Sequence, residues 1–98
     1  MPRHVLITGG SRGIGRALVR QFTAQGDLTA FTYLNSKEEA SSLHAVTGAL
    51  AYRCDSRSEK EVSYTCRRIL SLFHTLDVLV INAGTSLYQT LESTSCYE

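Results

Sequence analysis

The stretch Thr8-Gly9-Gly10-Ser11-Arg12-Gly13-Ile14-Gly15 constrains this chain more than any other, because it follows the apolar run His4-Val5-Leu6-Ile7 and opens a helix-period pattern. That order reads as strand, glycine turn, helix. Glycine has no Cβ, so the backbone can turn sharply and approach a ligand, while the amides and positive dipole end of the following helix attract anionic oxygens. A dinucleotide pyrophosphate suits such a turn. The spacing is Gly-x-x-x-Gly-x-Gly rather than Gly-x-Gly-x-x-Gly, and no Gly-Lys-Ser/Thr follows, which argues against a nucleoside triphosphatase loop.

With 98 residues, 43% of them hydrophobic and 19% charged, and one proline, the composition is that of one small globular domain. The net charge is +1 and the basic residues are scattered apart from Arg67-Arg68, so no nucleic-acid footprint is expected. The longest apolar runs have about four residues, far short of a membrane span or signal-peptide core, and a cytoplasmic location is expected. Cys54, Cys66 and Cys96 form no Cys-x-x-Cys pair, and His4, His44 and His74 lie far apart, so neither a disulfide framework nor a metal site is expected.

Ile14, Ala17, Leu18 and Phe22 recur at helical spacing, and Gly26 supplies a left-handed stop. Leu28 to Leu34 reads as a strand buried on both faces, and Asn35 begins a loop. Ser36 with Glu39 and Ser58 with Glu61 each have capping-box spacing, the first opening a helix that ends at Gly48. Between them, Ala49 to Cys54 forms a third strand. Val62, Cys66, Ile69, Leu70 and Phe73 share one face of a third helix, and Val78 to Ile81 is an apolar run typical of a central parallel strand. The alternation predicts an α/β fold: a Rossmann-type doubly wound parallel sheet, first half only, with four strands and three helices. From Thr85 to Glu98 the pattern fades.

In such a sheet the ligand lies at the carboxyl ends of the strands, where their order reverses. A three-two-one-four order brings the glycine turn opposite Asn82-Ala83-Gly84. The residues from Thr8 to Gly15 match every fixed position of the Thr-Gly-x-x-x-Gly-Ile-Gly motif of the short-chain dehydrogenase/reductase family, which this chain resembles. Among its members, the chain looks most like the 3-oxoacyl carrier-protein reductase type. The resemblance implies cofactor contacts at Gly9, Gly10, Ser11, Arg12, Gly13, Ile14 and Gly15. It also implies that Asn82, Ala83 and Gly84 carry the Asn-Ala-Gly core of the family's Asn-Asn-Ala-Gly motif, with Ile81 in place of the first Asn. Cys54-Asp55-Ser56 is similar to the family's turn that holds the adenine ring, so Asp55 and Ser56 join the candidate site; a turn or helix-entry aspartate is the plain alternative.

At the end of the second strand, Tyr33-Leu34-Asn35-Ser36-Lys37 carries no acid to bind ribose hydroxyls, while Arg12 and Lys37 are available to a 2′-phosphate. NADP(H) is therefore favoured over NAD(H). Tyr33 and Lys37 have the family's Tyr-x-x-x-Lys catalytic spacing but stand beside the expected adenosine pocket, so the match is a coincidence. No catalytic residue is assigned within this chain: the resemblance puts the catalytic Ser, Tyr and Lys beyond Glu98 and makes residues 1–98 a single, incomplete NAD(P)-binding domain. The complete form is expected to move hydride between nicotinamide and a small carbonyl or alcohol substrate, with homo-oligomers possible and neither nucleic acid nor membrane as partner. A non-catalytic nucleotide-binding or interaction module and a non-functional remnant are the alternatives. An exposed edge on the fourth strand invites partner pairing or aggregation.

Overall fold

A computed structural model of the chain describes residues 2–82. The elements alternate as expected: β1 (His4–Thr8), α1 (Gly13–Ala24), β2 (Leu28–Tyr33), α2 (Lys37–Thr47), β3 (Leu50–Arg53), α3 (Glu59–Phe73) and β4 (Val78–Ile81). All four strands are parallel in the order β3-β2-β1-β4, with Leu6 opposite Ala30 on one side and Leu79 on the other. The doubly wound Rossmann-type half-sheet is thus the observed architecture.

Alternation along the strands divides the core into two layers. Val5, Ile7 and Phe31 point to the face covered by α1 and α2, where they pack with Val19, Ala40 and Leu43. Leu6 and Ala30 point to the opposite face, against Ile69 and Phe73 of α3. Full burial of Phe31, Ile7, Leu43 and Ile69 contributes about 1.5 to 3 kcal/mol for each side chain. Among the described residues β4 pairs with β1 alone, and Ile81 near the sheet's margin is 41% exposed.

Helix boundaries follow local chemistry, with instructive departures. After α1, Gly26 takes φ +90°; its N–H donates to the Thr23 carbonyl and that of Asp27 to the Phe22 carbonyl, a Schellman closure. Gly48 ends α2 as expected, but Ser36 makes no side-chain cap bond. Its ψ of 57° departs from the extended backbone that aims a capping hydroxyl at the helix amides. At α3 the Ser58 hydroxyl does accept from the Glu61 N–H, at 3.2 Å. The Glu61 carboxylate turns away from Ser58, accepting instead from the Asp55 N–H at 3.0 Å and the Arg53 guanidinium at 3.1 Å.

Two helical faces are rotated from their expected phase. In α1 the inward stripe is Gly15, Leu18, Val19 and Phe22, whereas Ile14 (73% exposed) and Ala17 look outward. In α3, Thr65 is buried with Val62, Ile69 and Phe73, while Leu70 is 44% exposed. At about 100° per residue, Leu70 lies roughly 80° from Val62, on the rim of the buried stripe. Strand β3 is shorter than expected, Leu50–Arg53, although the Cys54 N–H still donates to the Tyr33 carbonyl of β2 at 2.8 Å.

Two carboxylates tie the periphery. Asp27 accepts from the Arg3 guanidinium (3.0 Å), and Asp55 from that of Arg57 (3.1 Å). Each arginine's hydrogen bond holds its carboxyl below the usual range. A folded-state pKa below the unfolded one stabilises above the unfolded value, about 4, and that stabilisation fades as pH falls through the folded value. We expect urea midpoints to drop below about pH 4 and the Asp27→Asn variant to lose less in acid than wild type; equal losses would contradict the role given to the Arg3–Asp27 pair.

Candidate functional site

The glycine turn is held from three strands. Gly9 and Gly13 adopt φ +68° and +58°, backbone that a side chain would strain. From β2, the Thr32 hydroxyl accepts from the Gly9 N–H (3.2 Å) and the Thr32 carbonyl from the Gly10 N–H (3.0 Å). From beyond β4, the Asn82 amide donates to the Gly9 carbonyl (3.1 Å), and the Asn82 N–H donates to the Thr8 hydroxyl (3.0 Å). The two sequence-distant motifs therefore meet at the carboxyl ends of β1 and β4. Thr32 and Thr8 are site-building residues that the sequence reading did not assign. In sequence, Thr32 is one more β-branched residue within a strand run.

Space is as limiting as hydrogen bonding. A Cβ on Gly15 would stand 2.2 Å from the Gly9 carbonyl oxygen and 2.7 Å from the Asn82 amide nitrogen. One on Gly10 would meet the Phe31 Cβ at 2.6 Å and Val19 at 2.9 Å. These glycines let α1 press against the turn and aim its N-terminus at the crevice. That end has no acidic residue in its first turn, and Arg12, extended at the N-cap, gives no side-chain cap bond. Its amides and dipole suit an anion. Ser11 is buried beneath the turn, and Ile14 offers an apolar surface at its mouth.

The remaining candidates are distributed along the same edge. Asp55 and Ser56 follow β3, two strands from β1 and hence about 10 Å away across the sheet. The Asp55 carboxylate closes a tight turn, accepting from the Arg57 N–H at 3.0 Å and from its guanidinium. This is the turn role weighed beside the adenine role. Neighbouring Cys54 is buried; burial pushes its thiol above the ordinary range, against a hydrogen bond from Thr65 that lowers it, so it is a packing thiol rather than a nucleophile. Ala83 and Gly84 lie outside the described residues.

An open cleft of about 430 Å³ runs from the turn toward α2, lined by Ser11, Arg12, Arg16, Glu38, Glu39 and Ser42 with Gly13. Arg16 donates to the Glu39 carbonyl at 3.2 Å. The second cation beside Arg12 is therefore Arg16, whereas exposed Lys37 does not line this cleft. Tyr33 ends β2 and Lys37 starts α2, so that pair shares no helix. Among the described residues no cluster of His, Cys, Asp and Glu could hold a metal, and no helix is long and apolar enough to cross a membrane.

A doubly wound parallel sheet with a glycine turn locked against the end of β4 defines a Rossmann-type α/β protein with its ligand crevice at the strand order's reversal. The chain matches the short chain dehydrogenase family over residues 3–96 and belongs to it. It is 44% identical over 84 residues to the cyclic-di-GMP-binding biofilm dispersal mediator protein of Escherichia coli, covering 86% of this chain and 34% of that protein. It is 36% identical over 89 residues to 3-oxoacyl-[acyl-carrier-protein] reductase FabG of Staphylococcus aureus, covering 86% and 36%. The solved structure of E. coli BdcA in complex with NADPH superimposes with a TM-score of 0.76 at 45% identity, over 84% of this chain and 32% of that one. The chain thus spans about a third of the length of the relatives it matches.

Proposed function

We propose that this chain binds NADP(H) at the glycine turn and supplies the cofactor-holding part of an oxidoreductase acting on a small carbonyl or alcohol. The observation that carries it is the lock between Asn82 and Gly9, which fixes an uncapped helix N-terminus at the crevice with no room for a Cβ at Gly15. Such a cradle fits a pyrophosphate. When bound, the nicotinamide carries the hydride; the residues of this chain bind and orient. Gly9, Gly10, Gly13, Ile14 and Gly15 supply backbone and close approach, and Ser11 supports the turn from below. Asp55 and Ser56 border the adenine side and Asn82 the nicotinamide side, with Ala83 and Gly84 included among the cofactor contacts on the motif alone. Residues 1–98 act as one cofactor-binding unit, with no catalytic residue among them. A cytoplasmic setting and homo-oligomers belong to the same proposal.

Arg12 sets the cofactor preference. Its guanidinium lines the cleft beside the turn, where the 2′-phosphate of NADP(H) accepts charge-assisted bonds that NAD(H) lacks. Glu38 and Glu39 offset the cleft's net charge, so the placement of Arg12 decides, not the sum. Arg12→Ala is expected to weaken NADPH binding about 10- to 100-fold and to leave NADH binding nearly unchanged, by titration calorimetry. Equal losses for both cofactors would refute it.

A second reading, nucleotide binding without turnover, is favoured by the E. coli relative being named for cyclic-di-GMP binding rather than for a reduction. Stable binding of a cyclic dinucleotide with no competition from NADPH would select it.

A further inference from the structure

The outer flank of α3 carries a second set of ligand-type groups. Tyr64, Arg67, Arg68, Ser71 and Leu72 follow i, i+3, i+4, i+7, i+8 spacing, and all five are exposed, so they form one continuous stripe. They line a groove of about 620 Å³. It shares Tyr64 and Arg68 with a hollow of about 380 Å³ against β3, walled by Tyr52, Arg53, Glu61 and Thr65. Arg68 sits at the junction, its guanidinium 5.2 Å from the Tyr52 ring centre and 5.6 Å from that of Tyr64. Two rings on one guanidinium restrain a long side chain that would otherwise be free to move.

Charge then selects the occupant. Arg53 is neutralised by Glu61 at 3.1 Å, which leaves the positive charges of Arg67 and Arg68 uncompensated among the groove's lining residues. Tyr64 is 59% exposed, so ring surface stays open beside Arg68. A planar base can stack there while a phosphate meets two guanidinium forks. A nucleoside monophosphate carries about −1.5 to −2 on its phosphate, matching the two arginines. We propose that this groove is a second nucleotide site, taking a nucleoside monophosphate with its base on Tyr64 and its phosphate on Arg67 and Arg68. The groove lies on α3, on the sheet face opposite α1, and the adjoining hollow opens on β3, at the opposite end of the sheet from β4. It is therefore separate from the glycine turn, and its occupancy does not depend on the cofactor assignment.

The test is calorimetric titration of the whole chain with GMP. Arg67→Ala combined with Arg68→Ala, and separately Tyr64→Ala, are each expected to weaken GMP binding about tenfold or more, with inorganic phosphate binding at least about tenfold more weakly than GMP to wild type. Tyr64→Phe keeps the ring and is expected to keep the affinity. Circular dichroism spectra matching wild type show that the variants are folded; Arg67 and Arg68 are exposed, so their truncation leaves the core intact. GMP affinity is expected to stay unchanged at NADPH concentrations that fill the glycine turn. Absence of GMP binding at millimolar concentration, equal affinity for inorganic phosphate, or indifference to both the double arginine truncation and Tyr64→Ala would overturn the proposal. Loss of GMP binding in the presence of NADPH would also overturn it, by assigning GMP to the glycine turn. Failure of NADPH to bind at all would count against the cofactor assignment and leave the GMP result standing.

Discussion

Gly15→Ala is expected to destabilise the protein by about 3 kcal/mol and to abolish measurable NADPH binding, although it adds a single methyl group. In most helices the same change stabilises, because alanine is the better helix former. Here the new Cβ would lie 2.2 Å from the Gly9 carbonyl oxygen, 2.7 Å from the Asn82 amide and 2.9 Å from the Gly10 Cα. Two of those three atoms are backbone, so no rotamer change relieves the clash. The helix must withdraw, which breaks the Asn82–Gly9 bond and swings the N-terminus of α1 away from the crevice. Gly26→Ala serves as the comparison: nothing stands within 4 Å of its Cβ, and its cost comes from φ +90° alone. A loss at position 15 no larger than at position 26, in urea unfolding with NADPH titration alongside, would show that close packing at the turn is not what the glycine provides.

The second large effect is expected at Asn82, and its pH dependence is diagnostic. Asn82→Asp keeps the size but replaces the amide that donates to the Gly9 carbonyl with a carboxylate that can only accept. At about pH 7 two acceptors then face each other, costing about 2 kcal/mol or more. Protonation restores a donor, so the folded-state pKa of the new carboxyl is raised above its unfolded value. The deficit relative to wild type is therefore largest at neutral pH, shrinks as pH falls through the raised folded-state value, and levels off by about pH 4, the unfolded value. Asp27 and Asp55 behave oppositely, but their losses occur in both proteins and cancel in the difference. Urea midpoints for both proteins at neutral and acid pH measure it. A deficit independent of pH would mean that the Asn82 amide does not hold the turn.

The fold was legible in the chain because its punctuation agrees at several levels. Gly26 and Gly48 mark helix ends, four short apolar runs mark strands, and the turn at Gly9–Gly15 and the motif at Asn82 meet only if β1 and β4 are neighbours. Helix phase was less legible. Ile14-Ala17-Leu18-Phe22 and Gly15-Leu18-Val19-Phe22 are both helical stripes that share Leu18 and Phe22, and hydropathy favours the first. The second wins because Gly15 alone can approach the turn, and rotating it inward leaves Ile14 outside. Leu70 was misplaced for a related reason: its stripe has the right period, but the sheet beneath α3 centres on Ile69. Ser36 has capping-box spacing without the backbone that makes a cap.

Parts of the site that depend on backbone groups or on neighbours far along the chain left little trace. Thr32 works through its carbonyl and hydroxyl together, and within the strand run Leu28–Tyr33 it looks like any β-branched residue. Arg16 reaches the cleft because α1 and α2 lie side by side, which residue spacing does not reveal. Asp55 stands out in the sequence as a turn residue, but its pairing with Arg57, two residues on, depends on the turn's geometry.

The most direct test follows backbone amide resonances of the isotope-labelled chain by NMR during titration with NADPH. The amides of Gly9 through Gly15 and of Asn82 are expected to shift most, followed by those of Asp55 and Ser56, with saturation at a common affinity. Absence of shifts at the glycine turn, or saturable shifts confined to other parts of the molecule, would contradict a dinucleotide site at this crevice.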